Sequence, residues 1–140
     1  MEATSTQEVT SPSEEINQFD DEMSFLNHIF TQAPKEEIVT VPDWGNVQVL
    51  CQALNAEDRI RCQLAAYDKD SKTTDYRRAV YEVVMSGSYN PKTRKRIFTA
   101  AHRQRIMQDP RNGAAVEHLF MVILRLSSML ATDQEKARKN

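Results

Sequence analysis

Six cations, Lys92, Arg94, Lys95, Arg96, Arg103 and Arg105, fall within fourteen residues, with His102 beside them and no acid between. Cations at this density can neutralise phosphates, and binding of that kind weakens steeply as salt rises. A single aromatic, Phe98, interrupts the run, and no recognised nucleic-acid motif surrounds it. The plainer reading is a solvated charged helix face, or a surface complementary to an acidic partner, the chain's own acidic leader included. Trp44 is the one tryptophan. It lies in a loop between two strand-like runs, where its indole is expected to fold back over a hairpin and bury a large apolar area. An anchor in an interface is the functional alternative.

No constellation for catalysis stands out. GxSxG, HExxH and phosphate-cradling loops are absent from the sequence. Glu57 and Asp58 are adjacent, so on a helix they point roughly 100° apart, and at a helix start they complement the dipole. Asp68 and Asp70 flank Lys69 in a loop that lacks the rest of a calcium site. Cys51 and Cys62 are eleven apart with no CxxC or CxxH pair, and both are expected to be reduced thiols. His28, His102 and His118 have no ligand partner at i+4. The expectation is a protein that is not an enzyme, with no catalytic residue, no metal and no cofactor.

The chain has 140 residues, 40% hydrophobic and 27% charged, with three glycines. So little glycine disfavours turn-rich all-β folds and suits helices. The net charge of −2 hides an asymmetry. Residues 1–37 carry nine acids and one base, a net −8, and the remainder carries +6. The longest apolar run, Leu119 to Leu124, is far short of the roughly 20 residues of a membrane span. The first residues lack the positive and apolar regions of a secretory signal.

These residues need positioning elements. Residues 1–18 read as a disordered acidic leader. Residues 19–34 read as a short amphipathic segment and linker, helical from Asp20 to Phe30, with Met23, Leu26, Ile29 and Phe30 on one stripe. Too short to be stable alone, it is expected to dock on a neighbouring subunit or a client, or to pack on its own domain. Residues 35–131 form the main domain and 132–140 a polar tail. Within the domain, Glu37–Val41 and Val47–Cys51 read as a hairpin around Pro42–Asn46. Asn55 caps a helix with Ile60, Leu64 and Tyr67 as its apolar stripe. Thr73 or Thr74 caps a second, with Tyr76, Val80, Val83 and Val84 on one face and Gly87 as its C-terminal stop. Ser88–Pro91 reads as a loop. Thr99 opens a short helix to Met107, which Asp109–Pro110 breaks. The longest helix runs from Ala114 to Leu130, with Val116, Leu119, Phe120, Ile123, Leu126 and Leu130 at helical spacing. The fold class expected is α+β, mostly α-helical: a small helical domain with one N-terminal β-hairpin and a long apolar C-terminal helix.

The run Val39-Thr40-Val41-Pro42-Asp43-Trp44-Gly45 resembles a motif of the tail assembly chaperones of long-tailed bacteriophages and prophages. The likeness extends in order through Phe25–Phe30, Val47-Gln48-Val49, Leu54–Arg59, Arg78–Val84, Lys95–Thr99 and Val116–Phe120, ending at Leu126-Ser127. It spans about residues 23–130. The resemblance implies a non-enzymatic helper in the cytoplasm of the bacterial host, absent from the mature virion. Such chaperones bind the tape measure protein and help recruit tail tube subunits, and in many phages a frameshift appends a further domain. The helices around 74–86 and 114–130 are expected to offer the client an apolar groove. The partner-binding residues expected are Leu26, Phe30, Trp44, Val80, Val84, Leu119, Phe120 and Ile123, with the basic segment as an electrostatic surface. The alternatives are a small nucleic-acid-binding protein using residues 92–105, or a self-assembling scaffold, and a homo-oligomer is compatible with each.

Overall fold

The computed structural model describes residues 16–130, so the polar tail and nearly all of the acidic leader lie outside the described residues. The chain divides at Ala33–Pro34 into two units. The first contains helix α1, Glu22–Phe30. Asp21 caps it, with Oδ1 accepting from the Ser24 N–H at 2.8 Å, so the helix starts two residues after Asp20. At its other end the Thr31 hydroxyl donates to the Asn27 carbonyl at 2.8 Å. Phe19 lies against Phe25 and His28, with ring centroids 6.0 and 4.9 Å apart.

The second unit is built on a three-stranded antiparallel sheet in which the strand Val47–Gln52 lies between Glu36–Val41 and Ser88–Tyr89. Strands β1 (Glu36–Val41) and β2 (Val47–Gln52) pair as expected, with Val41 opposite Val47 and Val39 opposite Val49. Between them Pro42–Trp44 form a 3-10 turn, with proline at its start where the missing N–H costs nothing. Gly45 (φ 71°) and Asn46 (φ 60°) then reverse the chain in the left-handed region, which glycine and asparagine tolerate best. Val39, Val41, Val49 and Cys51 are buried in the core that the sheet shares with the helices.

Helix α2, Ala56–Ala66, is capped as the sequence predicts, by Asn55 Oδ1 accepting from the Asp58 N–H at 2.7 Å. Its buried face is the reverse of the one expected. Asp58, Cys62 and Ala66, spaced four apart, face inward, while Ile60 is 57% and Leu64 72% exposed. Two interactions choose that face. Asp58, 3% exposed, bridges Arg61 at 2.9 Å and Arg96 at 2.8 Å. The small residues Cys62 and Ala66 let α2 lie close against the next helix, where Cys62 Sγ is 3.7 Å from Ser86 Oγ.

A two-residue ribbon, β3 (Tyr67–Asp68) with β4 (Thr73–Thr74), carries the chain across. Asp68 closes its turn by accepting from the Asp70 N–H and the Ser71 hydroxyl, both at 3.1 Å. Helix α3, Tyr76–Gly87, is capped by Asp75 rather than by a threonine, with Oδ1 accepting from Arg77 N–H at 3.0 Å. Gly87 is the last helical residue and does not terminate the helix with a left-handed turn. A Cβ there would lie 2.7 Å from Ile123 Cγ2, so glycine is required for the approach of two helices. The chain passes straight into β5, Ser88–Tyr89, which pairs with Leu50 and Cys51 of β2 where a loop was expected.

Thr99 opens a 3-10 turn, Ala100–His102, in which His102 Nδ1 accepts from the Thr99 N–H at 3.0 Å. Helix α4, Arg103–Gln108, follows and ends before Asp109-Pro110. Helix α5, Gly113–Leu126, buries Val116, Leu119, Phe120, Val122 and Ile123. It is the longest described helix but stops four residues before Leu130. Ser128 turns left-handed (φ 55°), and the Met129 N–H reaches back to the Leu124 carbonyl at 2.9 Å. The end is fixed from outside as well. Ser127 Oγ accepts from the Leu54 N–H at 2.8 Å, and its carbonyl accepts from Arg59 at 3.0 Å. No described helix is long and apolar enough to cross a membrane.

Replacing Gly87 by alanine should destabilise the chain by about 1–3 kcal/mol in urea unfolding, the usual cost of overpacking. The loss should shrink when Ile123→Ala is added, since the second change removes the atoms in conflict. Equal stability of Gly87→Ala and the parent would show that α3 and α5 lie further apart than described. A second test uses the thiols. Burial pushes Cys51 from the ordinary 9.0 up to about 12, and raises Cys62 as well. The unfolded chain gives up the Cys51 proton near 9 while the folded chain keeps it. Stability should therefore fall as pH rises from about 9 towards 12. Both thiols should resist iodoacetamide at about pH 8 until urea unfolds the chain. Ready alkylation of the folded chain would contradict this burial.

Candidate partner-binding surface

Trp44 is placed by the turn that Pro42 opens and Gly45 closes. Its ring is part-buried, and its Nε1–H donates to Asn112 Oδ1 at 2.9 Å. Asn112 in turn donates from Nδ2 to the Arg105 carbonyl at 3.0 Å. One side chain thus ties the hairpin turn to α4 and to the start of α5. The Phe98 ring meets the indole edge-on, with centroids 5.9 Å apart. Trp44 therefore does more than cover the hairpin. With Ile97, Phe98, His102, Arg105, Ile106 and Asn112 it lines an open cavity of about 360 Å³. At Ile97 this cavity adjoins a second groove of about 520 Å³, lined by Val47, Pro91 and Lys92 among others.

The basic segment divides into two sets. Arg94 bridges Glu36 at 2.7 Å, and its hydrogen bonds hold the Glu36 carboxyl below its ordinary range. Arg96 bridges the buried Asp58 and lies 5.9 Å over the Tyr89 ring. Arg103 lies 5.5 Å over the ring of Tyr81, whose hydroxyl donates to the Thr99 carbonyl at 2.5 Å. These three cations are engaged within the protein. Lys92, Lys95 and Arg105 form no ion pair among the described residues. The segment is not a helix face up to Arg96. Asn90 Oδ1 accepts from the N–H groups of Lys92 and Thr93, and Arg94 adopts φ 60°, which makes a tight turn.

The apolar residues singled out in α3 and α5 lie elsewhere. Val84, Leu119 and Ile123 have no exposure, and Val80 and Phe120 are buried too. Where a groove is expected, between residues 74–86 and 114–130, the C-terminal halves of the two helices are packed shut, and a small groove of about 190 Å³ remains at their N-terminal ends, lined by Tyr76, Val80, Met107 and Val116 among others. A client reaching Val84, Leu119 or Ile123 would have to part α3 from α5. Leu26 and Phe30 belong to the first unit, where they are 46% and 78% exposed on α1. The sequence reading missed Ile106, His102 and Asn112 as neighbours of Trp44. Asn112 lies 68 residues from Trp44, a separation for which no local pattern gives a signal. It also missed Asp58 as the acid joining Arg61 to Arg96, since an acid in a first helical turn is ordinarily solvated.

No protein-family model matches the chain, and no curated protein matches it. Among solved structures it is similar to the tail assembly chaperone of bacteriophage HK97, with a TM-score of 0.50 and 16% identity. The match covers 74% of this chain and 97% of the chaperone. At that identity the likeness is one of fold, and it extends over nearly the whole of the phage protein.

Proposed function

We propose that the chain is a tail assembly chaperone of a long-tailed phage or prophage. In this reading it acts in the host cytoplasm, binds the tape measure protein and keeps it soluble and extended. It helps bring tail tube subunits to that complex and is absent from the finished virion. The role is one of binding, without an enzymatic step. The observation that carries the reading is the fold shared with the HK97 chaperone over 97% of that protein's length, which agrees with the ordered motifs from Phe25 to Ser127. A nucleic-acid function draws less support. Three of the six cations in residues 92–105 are engaged within the protein, Arg94 and Arg96 in ion pairs and Arg103 over an aromatic ring.

The client surface in this reading is not the α3–α5 contact. Exposed apolar side chains occur on α2 at Ile60 and Leu64, on α3 at Tyr76 and on α5 at Met121, and half-buried Trp44, Ile97 and Phe98 line the groove. Co-expression with the tape measure protein of the same phage or prophage should keep that protein in the soluble fraction and co-purify the two, and tube protein should be retained when added. A tape measure protein that stays insoluble and unbound would refute the proposal.

A further inference from the structure

Two features that stand apart in the sequence, the hairpin tryptophan and the basic segment, meet in one groove. Trp44, Ile97, Phe98 and Ile106 give the first cavity an apolar floor, and Ile97 is shared with the second, which Val47 and Pro91 line together with the polar Thr40, Asn46, Gln48 and Asn90. Arg105 lines the first cavity and Lys92 the second, and no carboxylate lines either. Asp109, four residues on from Arg105, is held by Arg111 at 2.7 Å and pushed down to about 2, chiefly by that hydrogen bond. Asp43, the sequence neighbour of Trp44, is exposed and lines neither cavity.

The volume, about 360 Å³ in the first cavity, is at the small end of binding pockets, which run from about 300 to 1,000 Å³. It is of the size that takes one large apolar anchor. The local backbone offers a partner little to pair with. Asn46 N–H is bonded to the Val41 carbonyl, Asn90 N–H to Lys95, and Ile97 N–H to Ser88. A helix satisfies its own backbone and needs only side-chain contacts.

We infer that this groove docks an amphipathic helix of another protein, with an aromatic or long aliphatic side chain seated beside Trp44 and carboxylates reaching Arg105 and Lys92. The charge pattern selects the occupant: the apolar floor beside Trp44 takes the anchor, and two cations with no acid in the lining favour an acidic helix and repel a basic one. Residues 1–15 are acidic, yet Met1 and Val9 are their only large apolar side chains, so they lack the row of anchors that such a groove takes. The inference stands on the groove itself and is independent of the tail-assembly reading.

Trp44 is the only tryptophan and reports on the site directly. The probe is a capped amphipathic peptide with a Leu, Leu, Phe stripe flanked by glutamates, compared with its isomer carrying lysine at each glutamate. The full chain should bind the glutamate peptide with a shift in Trp44 emission, and the lysine peptide about tenfold or more weaker. Arg105→Glu and Lys92→Glu change exposed side chains, so circular dichroism should be unaltered. Together they should reverse the preference. Equal binding of the two peptides, no change in emission, or an unaltered preference in the variant would overturn the inference. So would an emission shift that follows the chain's own concentration, since a second copy would then occupy the groove.

Discussion

Between Gly87 and Ile123 there is no room for a side chain, since a Cβ on the glycine would lie 2.7 Å from Ile123 Cγ2. That closeness sets where α3 ends relative to α5, and the consequences run outward from it. Because α3 continues without a break into β5, the approach at Gly87 delivers Ser88 and Tyr89 to the edge of β2. The turn from Asn90 to Lys95 then folds beside the hairpin, and Ile97 follows as the residue shared by both grooves. A shift of α3 away from α5 would move the third strand, the basic turn and the wall of the groove together.

The charges form two systems with different physics. Asp58 is out of water and in contact with two guanidinium groups, one from its own helix and one from the basic segment. Such an arrangement contributes modestly to stability when intact but is costly to leave half-made, because the remaining charge loses its partner. It fixes the rotation of α2 about its axis and so leaves Ile60 and Leu64 facing solvent. The pair between Glu36 and Arg94 is exposed and screened by solvent. It ties the free edge of β1 to the basic turn without determining either.

Local signals were legible in the sequence. The hairpin registers as alternating β-branched residues, Asn55 as a cap, and α5 as a run of apolar residues at helical spacing. The cap of α3 was misread by one or two residues because Thr73, Thr74 and Asp75 are all good capping residues, and only the turn geometry chooses among them. The face of α2 was misread because periodicity marks Ile60 and Leu64, while the buried face is set by Arg96 from another part of the chain. Gly87 was placed correctly for the wrong reason, since a glycine at a helix end ordinarily supplies a left-handed turn. The same limit applies to the candidate surface. Trp44 and the basic segment were each visible, but their meeting depends on Asn112 and on the path of β5, neither of which has a local signature.

The fastening of Ser127 bears on the order in which the chain can fold. Leu54 N–H is satisfied by a hydroxyl 73 residues further on, and Glu37 pairs with Arg125 across 88. The hairpin can form its own ladder early, since its two strands are neighbours in sequence. Its inner face stays wet until Val116, Leu119 and Ile123 arrive. Contacts of such long sequence separation close late because the intervening loop loses its entropy first. On the ribosome, Val39, Val49 and Cys51 therefore wait, without their apolar cover, until α5 has emerged.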